Sequence, residues 1–221
     1  MVIHGAEFTF ESKLKAVTTA PDVKLVRVKF PFENKTDKDI TIKSFDAPCT
    51  CMNALLLRED KKEELTFKPG DKAVLTGVLD LENFKGTIDK QIVVNTDQEG
   101  EHAKIALTAR VTIPIIIGFD KENVSWVLND EKKAIVAHIK VNNEEPIHIV
   151  RHTAGFGADE DFSYKFETIK AGREYKVTVT PKSTKKVALG MLKFYTDSKI
   201  ERYKRLQLFM TVKKPKEEQK P

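Results

Sequence analysis

The chain has 221 residues, enough for one large domain or for two domains of about 100 residues each. Its charged fraction of 32% and hydrophobic fraction of 40% are ordinary for a globular protein. No apolar run approaches the roughly 20 residues of a membrane helix, so membrane insertion is not expected. Residues 115–221 carry 21 Lys/Arg and 15 Asp/Glu, which makes them the basic half. No aromatic-and-basic motif accompanies this bias, so nucleic-acid binding is not expected either.

The first half consists of short segments in which apolar and polar residues alternate. Turn residues such as Pro69-Gly70 and Asn95-Thr96-Asp97 separate them at intervals of about ten residues, which is typical of half-buried antiparallel strands. Residues 53–62 alone are predicted to form a short helical turn or a surface loop. The alternating apolar positions are Val26, Val28, Phe30 and Phe32, then Ile40 and Ile42, then Ala73, Leu75, Gly77 and Leu79, then Ile88, Ile92 and Val94, and finally Ile105, Leu107, Ala109 and Val111.

The second half repeats this order of strand segments and turn residues at an offset of about 100 to 108 residues. FKPGDKAVLTG (67–77) corresponds to IKAGREYKVTV (169–179), and VVNTD (93–97) corresponds to KFYTD (193–197). That offset is the length of one immunoglobulin-like sandwich. The sequence therefore predicts an all-β protein of two tandem immunoglobulin-like domains, residues 1–114 and 115–212. Residues 213–221 have no apolar periodicity and are predicted to be a disordered tail.

The first half also resembles a bacterial family catalogued as domain of unknown function 1573. The resemblance covers residues of roughly 25 to 112, and it implies an immunoglobulin-like fold similar to Hydin and major sperm protein domains. It further implies a bacterial protein that is usually exported, and it supplies no established activity. The segments that carry it are FPFENKT (30–36), ITIKSFDAPCTC (40–51), FKPGDKAVL (67–75), GTIDKQIVVNTD (86–97) and KIALTARV (104–111).

The two cysteines of the chain, Cys49 and Cys51, are separated by Thr50. In a regular strand their Cα atoms would be roughly 6.5 Å apart, so a disulfide requires a local kink, which Pro48 and Thr50 could permit. With Met52 they form a set of soft donors that suits Cu(I), although a metal site needs three or four ligands. Three interpretations stay open: small half-buried side chains, a Cys49–Cys51 disulfide with redox activity, and a metal site of Cys49, Cys51 and Met52.

No nucleophile motif and no phosphate-binding glycine loop is present, so no enzymatic activity and no obligatory cofactor are expected. The predicted function is that of a non-enzymatic exported protein that binds another protein through sheet edges and loops, or that serves as a structural adaptor. The alternative is a protein that handles copper or thiols through residues 49–52. Residues 1–20 lack the apolar stretch of a signal peptide. A periplasmic or secreted location is therefore expected only if a leader has been removed.

Overall fold

A computed structural model describes residues 8–58 and 63–215. The chain divides into two compact units, residues 1–114 and 115–221. Strands dominate both units, and within the described ranges none of the helical segments is long enough to cross a membrane. The helical segments are α1 (Ala158–Asp161) and two 3-10 turns, Gly100–Ala103 and Glu201–Tyr203.

The first unit is a sandwich of two sheets. One sheet has the strand order β1-β3-β7-β5 and the other the order β2-β9-β8-β4-β6. The parallel pairing of β2 with β9 is the exception among antiparallel pairs. The described strands are β1 (Thr9–Phe10), β2 (Leu14–Thr18), β3 (Leu25–Glu33), β4 (Ile40–Asp46), β5 (Met52–Arg58), β6 (Thr66–Phe67), β7 (Lys72–Asp80), β8 (Gly86–Thr96) and β9 (Lys104–Ile113).

The second unit has the same arrangement, except that none of its described strands corresponds to β6. Its sheets have the orders β10-β12-β15-β14 and β11-β17-β16-β13, and β11 pairs in parallel with β17. Each strand of the second unit therefore has a counterpart in the first, with β4 matching β13 and β5 matching β14. The described strands are β10 (Ile117–Phe119), β11 (Asn123–Val127), β12 (Ile135–Val141), β13 (Ile149–Ala154), β14 (Phe162–Lys170), β15 (Glu174–Pro181), β16 (Ala188–Thr196) and β17 (Arg205–Lys213).

The core of each unit lies between its two sheets and is made of the alternating residues seen in the sequence. In the first unit the rings of Phe8, Phe32 and Phe67 pack with centroids 4.8–5.3 Å apart. In the second unit Trp126 packs beside Phe162, with centroids 5.9 Å apart. Each unit thus buries its own apolar face, and the predicted all-β tandem fold is confirmed.

The repeated Thr-Asp dipeptide has the same role in both units. Thr96 Oγ1 donates to the carbonyl of His102 at 2.9 Å, and Thr196 Oγ1 donates to the carbonyl of Tyr203 at 2.8 Å. One residue on, Asp97 accepts from the Thr41 N–H at 3.0 Å and Asp197 accepts from the His148 N–H at 2.8 Å. The dipeptide therefore joins the end of β8 to β4, and its counterpart joins the end of β16 to the start of β13.

Two predictions about local structure are wrong. Residues 53–58, predicted as a helical turn or a loop, belong to strand β5, while residues 59–62 lie outside the described residues. Lys213, predicted as the start of a disordered tail, is the last residue of β17 and lies opposite Val127 in the ladder. The Leu128 N–H also donates to the Lys213 carbonyl at 2.9 Å, and that bond holds the position in the sheet. Residues 216–221 lie outside the described residues.

Candidate functional site: a disulfide at the head of an open sheet edge

Cys49 and Cys51 form a disulfide in the turn between β4 and β5, with their Cα atoms 5.3 Å apart. The turn is closed by a hydrogen bond of 3.4 Å from the Met52 N–H to the Cys49 carbonyl. The Asp80 N–H donates to the Cys51 carbonyl at 2.9 Å, which ties the second cysteine to the end of β7. The local bend brings the Cα atoms closer than an extended strand would allow, and that makes the bond possible.

The disulfide is half-buried, and its neighbours Pro48 and Thr50 are exposed. Met52 is only 3% exposed and packs in the core against Gly77. The structure thus joins the two sulfurs to each other and buries Met52. Within the described residues, no group of three or more His, Cys, Asp or Glu side chains is placed to hold a metal. The copper hypothesis for Cys49, Cys51 and Met52 could apply only to a reduced and rearranged turn.

Strand β5 forms the edge of its sheet and pairs with β7 alone in the part of the chain that the structure describes. In an antiparallel ladder, every second residue of a strand directs its N–H and C=O toward the neighbouring strand. The hydrogen bond from the Asp80 N–H to the Cys51 carbonyl shows that Cys51 is one of the residues that face β7. By alternation, Asn53, Leu55 and Leu57 direct their N–H and C=O groups to β7. Ala54 and Leu56 therefore direct theirs away from the sheet, and neither has a backbone partner within residues 8–58 and 63–215.

Apart from exposed Asn53, the side chains from Met52 to Leu57 are apolar on both faces of β5. Leu55 and Leu57 are 51% and 65% exposed on the outer face. The one charged residue of β5, Arg58, is turned inward, where its Nη2 lies 2.8 Å from Asp71 Oδ2 and its guanidinium lies 4.2 Å above the Phe67 ring centroid. Between Met52 and Leu57, β5 therefore carries no charged side chain that would discourage the addition of another strand.

A groove of about 460 Å³ adjoins β5 on its inner side. The pairing of β6 with β4 ends near Ile42, whose N–H donates to the Leu65 carbonyl at 2.9 Å beside this groove. A strand added to β5 would place alternate side chains in this groove and the others beside the exposed leucines. The residues that line the groove are Phe45, Leu56, Leu57, Arg58, Glu63, Glu64 and Leu65.

The matched strand β14 is also an edge, but its outer face is charged. Lys165 and Glu167 occupy the positions that correspond to Leu55 and Leu57, counted from the buried first residue of each strand. Glu167 bonds to Lys165 at 3.0 Å and to Lys176 at 3.2 Å. These hydrogen bonds, that from Lys165 first, hold the pKa of the Glu167 carboxyl below its usual value. Charge on an edge discourages the addition of further strands. The charged edge of β14 is therefore less suited to accept an added strand than the edge of β5.

Sequence reasoning found the cysteines but missed β5 and its leucines. The run Leu55-Leu56-Leu57 has no polar alternation, so it carries no period-two signal. The signal that could have found it is the internal repeat, since β14 lies at the corresponding place in the second half.

The two units share the strand order, the parallel first pairing and the two-sheet core of immunoglobulin-like sandwiches, so the protein is a tandem immunoglobulin-like β-sandwich protein. Residues 8–111, which make up most of the first domain, match the family model described as Protein of unknown function (DUF1573). The resemblance drawn from the sequence is thus confirmed. Among curated proteins, no sequence matches the chain.

Solved structures show distant likenesses. The VesB protease of Vibrio cholerae matches with 9% identity and a TM-score of 0.40, over 48% of this chain and 32% of the protease. A protein of unknown function from Porphyromonas gingivalis matches with 9% identity and a TM-score of 0.34, over 94% of this chain and 97% of its own. A tandem pair of titin immunoglobulin domains matches with 8% identity and a TM-score of 0.30, over 94% and 96%. The part of this chain that matches spans about a third of the protease.

Proposed function

We propose that this protein is a non-enzymatic, exported binding module whose first domain takes up an extended segment of another protein at β5. The observation that carries the proposal is the open edge of β5, where the backbone groups of Ala54 and Leu56 face away from the sheet. Main-chain hydrogen bonds give such an added strand its affinity, and pockets for alternate side chains give it specificity.

The occupant that fits is an extended segment with apolar side chains at alternate positions. Its side chains on one face would enter the groove that Phe45 and Leu65 line, and those on the other face would cover Leu55 and Leu57. Complete burial of a leucine side chain is worth about 1.5–3 kcal/mol, so two leucines supply a useful share of the binding free energy. An edge strand of a second copy already buries one of its faces in its own core, so a second copy cannot fill the groove in this way.

Export is supported by the Cys49–Cys51 disulfide, because disulfides persist in oxidising compartments and are rare in the cytosol of most organisms. We expect the protein in the fraction outside the cytoplasmic membrane when cells of its native host are fractionated. A cytosolic protein with two free thiols would contradict the export part of the proposal and leave the binding part standing.

Photo-crosslinking in native host cells tests the binding edge. A photo-crosslinking amino acid replaces Leu55, and the matched control carries it at Lys165 on the charged edge. We expect a discrete product of the chain with a second protein from position 55 and none from position 165. Equal products from both positions, or a product that contains only two copies of this chain, would contradict the proposal.

The Ala54→Pro variant sharpens this experiment. In the wild type the Ala54 N–H faces away from β7. Proline at this position therefore removes no hydrogen bond of the β5–β7 ladder and is tolerated on an edge strand. It does remove the donor that an added strand needs. We expect Ala54→Pro to abolish the crosslink from position 55 while the circular dichroism spectrum stays unchanged. A crosslink that persists in a folded Ala54→Pro protein would show that the partner does not add to the sheet.

A further inference from the structure

We propose that the Cys49–Cys51 disulfide is a site of thiol–disulfide exchange whose substrate is a dithiol, such as a pair of cysteines in another protein. The first support is access. Cys49 and Cys51 pack partly against the core, but part of their surface stays accessible in a turn whose residues Pro48 and Thr50 are exposed, so an attacking thiolate can approach the bond. Accessible disulfides exchange more readily than structural ones that are shielded from solvent.

The second support is that the fold does not depend on this disulfide. The matched link of the second domain, between β13 and β14, contains no cysteine and is closed by backbone hydrogen bonds together with contacts from Lys182 to the Asp159 carbonyl and from Lys186 to Asp161. There the Gly155 N–H donates to the Met191 carbonyl at 2.7 Å, and the Asp161 N–H donates to the Gly157 carbonyl at 3.1 Å within α1. A bond that spans a single residue also restricts the unfolded chain very little. The pair is therefore a poor choice as a structural staple.

The exchange is balanced without a further reagent. One thiolate of the substrate attacks the sulfur of one cysteine, which breaks the Cys49–Cys51 bond, forms a mixed disulfide and releases the other cysteine as a thiolate. The second thiolate of the substrate then attacks its own sulfur in the mixed disulfide and releases the first cysteine. The substrate becomes a disulfide, and Cys49 and Cys51 receive its two electrons and the two protons of its thiols.

The spacing also selects for dithiols. After attack by a monothiol, the released cysteine stays two positions along the chain from the mixed disulfide and reverses the reaction. A substrate with a second thiol close by escapes this reversal because it completes the exchange. Mixed disulfides with glutathione are therefore expected to stay scarce in the wild-type protein and to accumulate when one cysteine is replaced.

The test uses the oxidised full chain, a synthetic peptide with two neighbouring cysteines, and a matched peptide with one. Free thiols are alkylated and counted by mass spectrometry, while circular dichroism reports the fold. We expect the dithiol peptide to reduce the protein and to become oxidised in equal amount, with the spectrum unchanged. The monothiol peptide is expected to do so at least tenfold less. A disulfide that resists the dithiol peptide until denaturant is added would overturn the proposal.

Single variants provide the second measurement. Cys49→Ser and Cys51→Ser each leave one thiol without its neighbour, and oxidised glutathione is expected to give a stable one-to-one adduct with at least one of them under native conditions. The double variant is the control for folding, and its circular dichroism spectrum under native conditions should match that of the wild type. Failure of both single variants to form an adduct would overturn the proposal, as would unfolding of the first domain on reduction. Neither outcome bears on strand addition at β5, which the crosslinking experiment tests separately.

Discussion

The two domains use the same strand order but finish one side of the sandwich differently. In the first domain a disulfide turn leads into β5, whose outer face bears leucines. In the second domain a helical turn, α1, leads into β14, whose outer face bears the Lys165–Glu167 ion pair. The surroundings of both strands are otherwise alike, since each pairs with one neighbour in an antiparallel ladder. The turn before the edge strand and the outer face of that strand therefore differ between two domains that share one strand order.

The largest expected effect is in the link of the second domain. Gly157 has φ of +64°, and a Cβ added there would lie 2.1 Å from the Leu189 carbonyl oxygen. Gly157→Ala should therefore lower the free energy of unfolding of the second domain by about 3 kcal/mol or more, from backbone strain and from the collision together. Unfolding in denaturant, followed for each domain, measures it.

Gly70 in the first domain separates strain from collision. Its φ is +88°, but nothing lies within 4 Å of a Cβ built on it. Gly70→Ala should cost only the left-handed strain, about 1–2 kcal/mol. Equal losses for Gly157→Ala and Gly70→Ala would show that the contact with Leu189 does not constrain the link.

The next effect concerns the corner between the third and fourth strands of each sandwich. In the first domain Asn34, fully buried, donates to the carbonyls of Lys38 and Phe67 at 2.8 and 2.7 Å and accepts from Thr36. Asn34→Ala leaves these groups without partners and should lower the free energy of unfolding by about 2–3 kcal/mol.

In the second domain the Tyr175 hydroxyl closes the same corner. It donates to the Ile147 carbonyl at 3.2 Å and accepts from the Gly172 N–H at 2.9 Å. Tyr175→Phe keeps the ring in the core and should cost about 1 kcal/mol, less than Asn34→Ala. Urea titrations of both variants give the comparison, and a larger loss for Tyr175→Phe would reverse this ranking of the two corners.

Replacement of the disulfide should cost less than Asn34→Ala and about as much as Tyr175→Phe. Cys49→Ser with Cys51→Ser removes a cross-link around one residue and leaves hydroxyls in a half-buried turn, so the cost should be about 1–2 kcal/mol. Thermal unfolding of the double variant checks it. A loss above about 4 kcal/mol would mean that the first domain relies on the bond in a way that the second domain does not rely on α1.

The sequence predicts the parts of the fold in which one side of a strand is buried. The alternation in β3, β7 and β15 follows from burial of every second residue, so those strands are visible in the sequence. Strand β5 is not visible, because Leu55 and Leu57 are apolar without being buried. The cysteines were found as a candidate, but the choice between sulfur–sulfur and sulfur–metal bonding depends on the turn from Pro48 to Met52, which no periodicity encodes.

The smallest expected effect concerns the Thr-Asp dipeptides, in which the two domains are most alike. Burial raises the pKa of Asp97, but hydrogen bonds from Gln98 and Thr41 outweigh it and leave the pKa below its usual value. Burial likewise raises the pKa of Asp197, but hydrogen bonds from the backbone and ring of His148 outweigh it and again leave the pKa below its usual value. Each carboxylate therefore stabilises the folded state above the unfolded pKa of about 3.9, and this contribution disappears as the pH falls through the lowered pKa of the folded state.

Asp97→Asn and Asp197→Asn should each flatten the loss of stability between about pH 5 and pH 2, by less than about 1 kcal/mol because both residues are largely exposed. The two variants should differ in their dependence on salt. His148 Nδ1 lies 2.8 Å from Asp197 Oδ2, so this contact is an ion pair when the imidazole is protonated, whereas Gln98 beside Asp97 is neutral. Added salt should therefore weaken the contribution of Asp197 more than that of Asp97. Urea unfolding of both variants at low and high salt measures this, and equal salt dependence would mean that His148 contributes a hydrogen bond without its charge.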